Sequence, residues 1–63
     1  MTAGRRLAYD FLNLPHHVKL RIAAKFGFVS DPKASEQENY VLWFRQAKQE
    51  NKVEELRQEI ADA

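Results

Sequence analysis

Apolar residues recur along this chain at the three- and four-residue spacing of an α-helix, in four separate segments. No segment shows the sustained alternation of a β-strand, and neither Asn-Gly nor Asp-Gly occurs as a turn signal. The pattern therefore predicts an all-α fold, a compact bundle of four short helices in one domain over residues 1–63. We expect these helices at about residues 3–12, 15–26, 36–49 and 52–61.

Residues with known preferences for helix ends mark several of these boundaries. Thr2 is a candidate N-cap of the first helix. Pro15 suits the first position of the second helix, where a missing N–H does no harm, and Gly27 suits a left-handed residue that ends it. Ser35 and Glu38 form the S-x-x-E capping box, which predicts the start of the third helix.

The inward-facing positions of the four segments predict a simple core, because a chain of this length buries only about 60% of its unfolded surface. Trp43 lies one position off the stripe of Tyr40, Phe44 and Ala47. Its ring is therefore either a core residue or an exposed contact residue, a hot spot for a partner. The predicted core consists of Leu7, Phe11, Leu14, Val18, Ile22, Phe26, Phe28, Val41, Phe44, Leu56 and Ile60.

The net charge of +1 conceals opposite charges in the two halves of the chain. Residues 1–33 have six basic and two acidic side chains, and residues 34–63 have four basic and seven acidic. This division predicts two complementary interaction surfaces, with ordinary solvated surface as the alternative. Contact between unlike surfaces of two copies is heterologous and builds rings or open assemblies. The basic surface would contain Lys19, Arg21, Lys25, His16 and His17, and the acidic surface Glu54, Glu55 and Glu59.

Groups suited to catalysis or metal binding are few. His16 and His17 are the only histidines, and adjacent helix positions diverge by about 100°, so the pair is poorly placed to hold one metal ion. The chain has no cysteine for a zinc site or a disulfide. Ser30 and Ser35 are explained as turn and cap residues. We therefore expect no enzyme, no metal, no cofactor and no small-molecule substrate.

A DNA-binding helix-turn-helix is suggested by the segment LPHHVKLRIAAKFGF, residues 14–28. However, seven residues separate Gly27 from the cap at Ser35, whereas the turn of that motif has three or four. Glu36 and Glu38 also open the next helix and would lie against phosphates. DNA binding is therefore an alternative interpretation, and a purely structural domain of a larger protein is another.

Membrane association is not expected either. The longest apolar run, residues 40–44, has five residues, and nothing resembles a signal peptide. The polar face of the fourth helix is acidic, whereas helices at membrane surfaces favour lysine and arginine. We expect a soluble, cytoplasmic protein.

The segment VLWFRQAKQENKVEELRQEI, residues 41–60, resembles the last two helices of the small effector-associated domains of bacteria, relatives of the death-like adaptor domains. The first half, FLNLPHHVKLRIAAKFGF, is similar to their segment with a leucine-proline helix start and a helix that ends in glycine. The glycine and proline residues near the fourth helix of some relatives are absent. The positions that match are Trp43, Phe44, Ala47, Asn51, Val53, Leu56 and Ile60.

The resemblance implies a death-like helical adaptor that mediates protein–protein interaction. Such domains recruit effectors, such as proteases, TIR-type enzymes and nucleases, in bacterial immunity or programmed death. They do so by binding a matching helical domain on another protein. The complementary charges of the two halves leave homotypic binding to a second copy open as one form of this contact. Nucleic acid and membranes are not expected as partners.

Overall fold

The computed structural model describes the backbone of residues 3–63 and the side chains of residues 6–63. The described residues contain no strand and form four α-helices: α1 (Ala3–Leu12), α2 (His16–Phe26), α3 (Glu36–Gln49) and α4 (Val53–Asp62). The predicted all-α bundle is confirmed, and each predicted helix boundary lies within one residue of the observed one. The candidate cap Thr2 lies outside the described residues.

The starts of α2 and α3 follow from their cap residues. Pro15 precedes α2 as its cap residue, and its carbonyl accepts from the N–H groups of Val18 and Lys19, both at 3.1 Å. The capping box of α3 is confirmed, because Ser35 Oγ accepts from the Glu38 N–H at 3.2 Å and Glu38 Oε1 accepts from the Ser35 N–H at 2.8 Å. Two backbone donors that the helix leaves free are thereby satisfied.

The ends of α2 and α3 share one backbone motif. Gly27 has a φ of 71° and Asn51 a φ of 58°, so both lie in the left-handed region. Asparagine tolerates this region better than most residues that have a Cβ atom. In each case the next N–H reaches back to a carbonyl in the last turn, as in a Schellman motif. The bonds run from Phe28 to Ala23 at 2.9 Å and from Lys52 to Ala47 at 2.8 Å.

The core lies where the apolar stripes of the helices converge. Phe11, Ile22 and Leu56 are at most 1% exposed and form its centre. Most of the predicted core is confirmed. All but one of the residues predicted there are buried or packed against the buried residues. The buried apolar residues are Leu7, Phe11, Val18, Ile22, Ala23, Phe28, Tyr40, Trp43, Ala47 and Leu56, with Leu12, Leu14, Phe26, Phe44 and Ile60 packed against them.

Val41 is the exception, and its predicted place in the core is wrong. It is 43% exposed, because α3 turns Tyr40, Trp43 and Ala47 toward the core. Successive residues on a helix diverge by about 100°, so the residue after Tyr40 faces away from that stripe. α1 and α4 both contact α3, and the side of α3 that these helices leave uncovered carries Val41.

Candidate protein interaction surface

Lys19, which the charge pattern placed on an exposed basic surface, is buried. It is 5% exposed, its Nζ donates to the Leu12 carbonyl at 2.9 Å, and Nζ lies 3.5 Å from the centroid of the Tyr40 ring. A cation at the C-terminal end of α1 is favoured by the helix dipole, and its position over the ring adds a cation–π interaction. The structure therefore removes Lys19 from the interaction surface and makes it a structural link between α1, α2 and α3.

Burial shifts the pKa of both groups in this contact. Removal from water lowers the pKa of Lys19 below 10.5, and the nearby charge of Glu36 offsets part of that effect. Burial raises the pKa of the Tyr40 phenol above 10.0, and the charge of Glu36 and its hydrogen bond with the phenol raise it further. Relative to the unfolded chain, folding therefore shifts the equilibrium of each side chain toward its uncharged form.

His16 is engaged with α3 from the first turn of α2. Its Nδ1 lies 2.5 Å from Tyr40 Oη, and its Nε2 lies 3.7 Å from Glu36 Oε2. A protonated His16 would form an ion pair with Glu36 that links the N-terminal turns of two helices. His17 and Arg21 are exposed, and within the described residues no hydrogen bond or ion pair holds either side chain. These two are the members of the predicted basic surface that remain free for a partner.

Lys25 and Glu59, which were predicted on opposite interaction surfaces, bind each other. Lys25 Nζ donates to Glu59 Oε2 across α2 and α4. The remaining acidic residues, Glu54 and Glu55, are exposed in the first turn of α4, where the helix dipole favours negative charge. Glu54 Oε2 also lies 3.8 Å from Arg57 Nε. One residue of each predicted surface is therefore paired within the same molecule.

Trp43 belongs to the core. It is 4% exposed, its ring centroid lies 5.6 Å from that of Tyr40, and its Nε1 donates to Ser30 Oγ at 2.9 Å. A buried indole needs a partner for its N–H, and the loop after α2 supplies one. The core interpretation is confirmed, and the exposed contact residue considered as the alternative does not fit this position.

Two amide side chains of α3 hold the loop between α2 and α3 on either side of the Trp43 contact. Gln46 Oε1 accepts from the Val29 N–H at 2.9 Å, and its Nε2 donates to the Val29 carbonyl at 2.8 Å. Asn39 binds Asp31 in the same way, at 2.7 Å and 3.1 Å. Each amide therefore pairs with both polar groups of one loop residue, as a neighbouring strand would. Together these contacts order residues 29–31 along α3.

A groove of about 420 Å³ lies along the outward side of α3 and the ordered loop. Val41 is the large exposed apolar residue in it, with Leu42 and Ala34 partly buried beside it. The Asn39 contact holds Asp31 at its rim. An exposed apolar area surrounded by polar residues is typical of protein interaction sites. The α3 groove is lined by Asp31, Ala34, Gln37, Glu38, Val41, Leu42 and Arg45.

The outward face of α2 is another exposed surface with apolar content. Leu20 is 47% exposed, and Ala24 is exposed one turn further along. His17 and Arg21 lie on the same side of the helix, because residues three and four positions apart are neighbours on a helix surface. We call His17, Leu20, Arg21 and Ala24 the α2 face.

Comparison with models of protein families gives a match across nearly the whole chain. The model of the GTPase-associated adaptor domain matches residues 3–62. The chain belongs to the GTPase-associated adaptor domain family. The adaptor character implied by the sequence resemblance is thereby confirmed. Neither the curated proteins nor the solved structures contain a match to this adaptor domain.

Sequence reasoning missed the α3 groove of this adaptor domain and the amides that order its rim. Because Val41 was assigned to the core, the exposed apolar side of α3 was not predicted. Asn39 and Gln46 carried a weak signal, since they flank Trp43 on one side of the helix, but polar residues there fit a solvated surface equally well.

The described part of the adaptor domain has neither a membrane-spanning helix nor a cluster of metal-ligating side chains. None of its four helices has the length and apolar content needed to cross a bilayer. No cluster of three or more histidine, aspartate or glutamate side chains is placed around a common metal position in that part of the chain.

Proposed function

We propose that this adaptor domain recruits or assembles effector proteins through domain–domain contacts in a GTPase-associated system of the bacterial defence or programmed-death type. The observation that carries the proposal is the family match over residues 3–62. The link to a GTPase comes from the description of the family. Effector recruitment comes from the resemblance of residues 41–60 to effector-associated and death-like domains.

The exposed apolar residues support a protein as the partner. Leu20 and Val41 are 47% and 43% exposed on helices whose other large apolar side chains are buried or partly buried. Val41 lies in a groove with charged residues at its rim. Contact with a partner would remove both residues from water and supply a hydrophobic driving force. In this proposal the domain has a non-catalytic role, and the proteins that it brings together supply any chemistry.

The positions of the lysines on α2 favour protein over DNA as the partner. Phosphate contacts from lysine and arginine supply most of the affinity in DNA binding. Lys19 is buried with its Nζ over the Tyr40 ring, and Lys25 is paired with Glu59. Among the described residues, Arg21 is then the exposed permanent cation of α2 that has no acidic partner, which is little charge for a DNA-binding helix.

The test is calorimetric titration of the purified domain with the proteins encoded beside its gene, above all with any that contains a GTPase domain. We expect saturable binding that nuclease treatment leaves unchanged and that weakens moderately with salt. The proposal would be contradicted if none of these proteins bound while random-sequence duplex DNA bound with a steep salt dependence.

A further inference from the structure

We infer that the α2 face of one copy of this domain docks into the α3 groove of a second copy. This inference rests on the proposed adaptor function and names the surfaces through which copies of the domain would assemble. We expect a second copy of the domain in the groove, because the chain itself presents a surface of matching shape and charge.

The apolar residues of the two surfaces match. Leu20 projects from the convex α2 face and is 47% exposed. The α3 groove is concave, has a volume of about 420 Å³ and exposes Val41. A leucine side chain set against Val41 and Leu42 would bury an apolar residue of each copy in one contact. Ala24, one turn after Leu20, is small enough to let the helix approach the groove closely.

The charges of the two surfaces are also complementary, and they give the contact a direction. Arg21 and His17 flank Leu20 on the α2 face. The groove has Asp31 and Glu38 at its rim near the start of α3, and Arg45 lies seven residues after Glu38, about 10 Å along the helix. The basic side chains of α2 would therefore lie at the acidic end of the groove, away from Arg45. Such pairing steers docking and fixes its register.

Both surfaces are exposed in the folded monomer, and the Asp31 and Glu38 carboxylates of the groove each accept one backbone N–H, from Lys33 and Ser35. α2 packs into its own core through the opposite side, with Val18 and Ile22, and Lys25 is occupied by Glu59. Because the α2 face and the α3 groove are different patches, each copy has one of each, and the contact is heterologous. When each contact joins a new copy, it adds copies head to tail.

The contact is expected to be weak for isolated domains. One helix face in a groove buries less than the roughly 1,200 Å² that stable complexes bury. Assembly would therefore be favoured where a larger protein brings several copies close together, because tethering raises the effective concentration.

The test is sedimentation analysis of the domain from about 10 µM to about 1 mM, at low and at physiological salt. The average mass of the wild type should rise with concentration and fall with salt. Arg21→Glu and Gln37→Lys should each lower the association constant at least about tenfold, because each places like charges in the contact. Gln49→Lys is the matched control: it adds the same charge to the same helix outside the groove and should leave association unchanged. Circular dichroism checks that each variant is folded.

An equimolar mixture of the Arg21→Glu and Gln37→Lys variants gives the decisive result. We expect association to return, because the intact groove of the first variant accepts the intact α2 face of the second. A wild type that stays monomeric throughout would overturn self-docking, while calorimetry with GTPase-containing proteins tests the adaptor function separately. Association that survives Arg21→Glu and Gln37→Lys but is lost in Glu55→Lys would also overturn the inference, since it would place the contact on α4.

Discussion

The paired hydrogen bonds between Asn39 and Asp31 give a quantitative prediction about stability. Replacing Asn39 by alanine removes a bond of 2.7 Å and a bond of 3.1 Å to the backbone of the loop. The Asp31 N–H would then depend on water, whereas the Asp31 carbonyl would keep the bond from the Ala34 N–H at 3.1 Å. Gln37→Ala is the matched control, because Gln37 is exposed on the same helix and makes no such contact within the described residues.

The expected magnitude follows from these two bonds. Each contributes about 0.5–1.5 kcal/mol net, and solvent access to the loop favours the lower part of that range. Alanine regains about 0.5 kcal/mol of helix propensity over asparagine. Asn39→Ala should therefore lower the free energy of unfolding by about 1 kcal/mol, and Gln37→Ala should change it by less than about 0.5 kcal/mol. For a domain of this size 1 kcal/mol corresponds to a fall in Tm of about 4–8 °C.

The assay is urea and thermal unfolding followed by fluorescence and circular dichroism. Trp43 is the single tryptophan and its indole binds the same loop, so its emission reports on this region directly. Hydrogen exchange of the Asp31 amide gives a local readout, since that N–H donates to Asn39 and should lose protection in the variant. Equal stability of the two alanine variants, with the Asp31 amide still protected, would refute the reasoning.

Three further predictions concern the core, a helix end and pH. Leu56→Ala should lower the free energy of unfolding by about 2–5 kcal/mol, because the side chain is fully buried, whereas Val41→Ala should lower it little. Thermal melts that show similar losses for the two variants would contradict this difference. Gly27→Ala should lower the free energy of unfolding by about 1–2 kcal/mol. The whole loss comes from the left-handed φ of 71°, because an added Cβ meets no atom within 4 Å. Unchanged stability of this variant in urea would count against the prediction. The pKa of Lys19 in the folded domain lies below its ordinary value of 10.5. Between the folded-state pKa and 10.5 the unfolded chain holds the Lys19 proton more tightly than the folded domain does. The contribution of Lys19 to the free energy of unfolding therefore rises with pH in this window. Unfolding from neutral pH to pH 10.5 should show this rise in the wild type relative to Lys19→Met, and parallel profiles of the two proteins would exclude it.

The helix boundaries were predictable because local chemistry determines them. Ser35 and Glu38 satisfy backbone donors within one turn, and Gly27 adopts the conformation that its missing Cβ allows. Both effects act between residues close in sequence, so they can be recognised before the tertiary structure is known.

The orientation of α3 was harder to predict, because residues 40–44 form a continuous apolar run. Periodicity in such a run does not decide which residue faces inward. Packing with α1 and α4 turns Tyr40 and Trp43 to the core and leaves Val41 exposed. The groove that Val41 lines could therefore not be predicted from the sequence pattern.

The charged contacts were not predictable for the same reason. Lysine is seldom buried, and the burial of Lys19 depends on Leu12 and Tyr40. Lys25 and Glu59 lie 34 residues apart, and only the tertiary fold makes them partners. The adaptor class followed from a resemblance in hydrophobic pattern, whereas no residue of the chain indicated the association with GTPases.

The adaptor account is tested most directly by titrating the ¹⁵N-labelled domain with a GTPase-containing protein encoded beside its gene, followed by two-dimensional NMR. The account predicts saturable shifts of backbone amides that cluster on the α2 face and the α3 groove, with Leu20, Arg21 and Val41 among them. No shift with any such protein at saturating concentration, together with shifts of the α2 amides on adding duplex DNA, would contradict it.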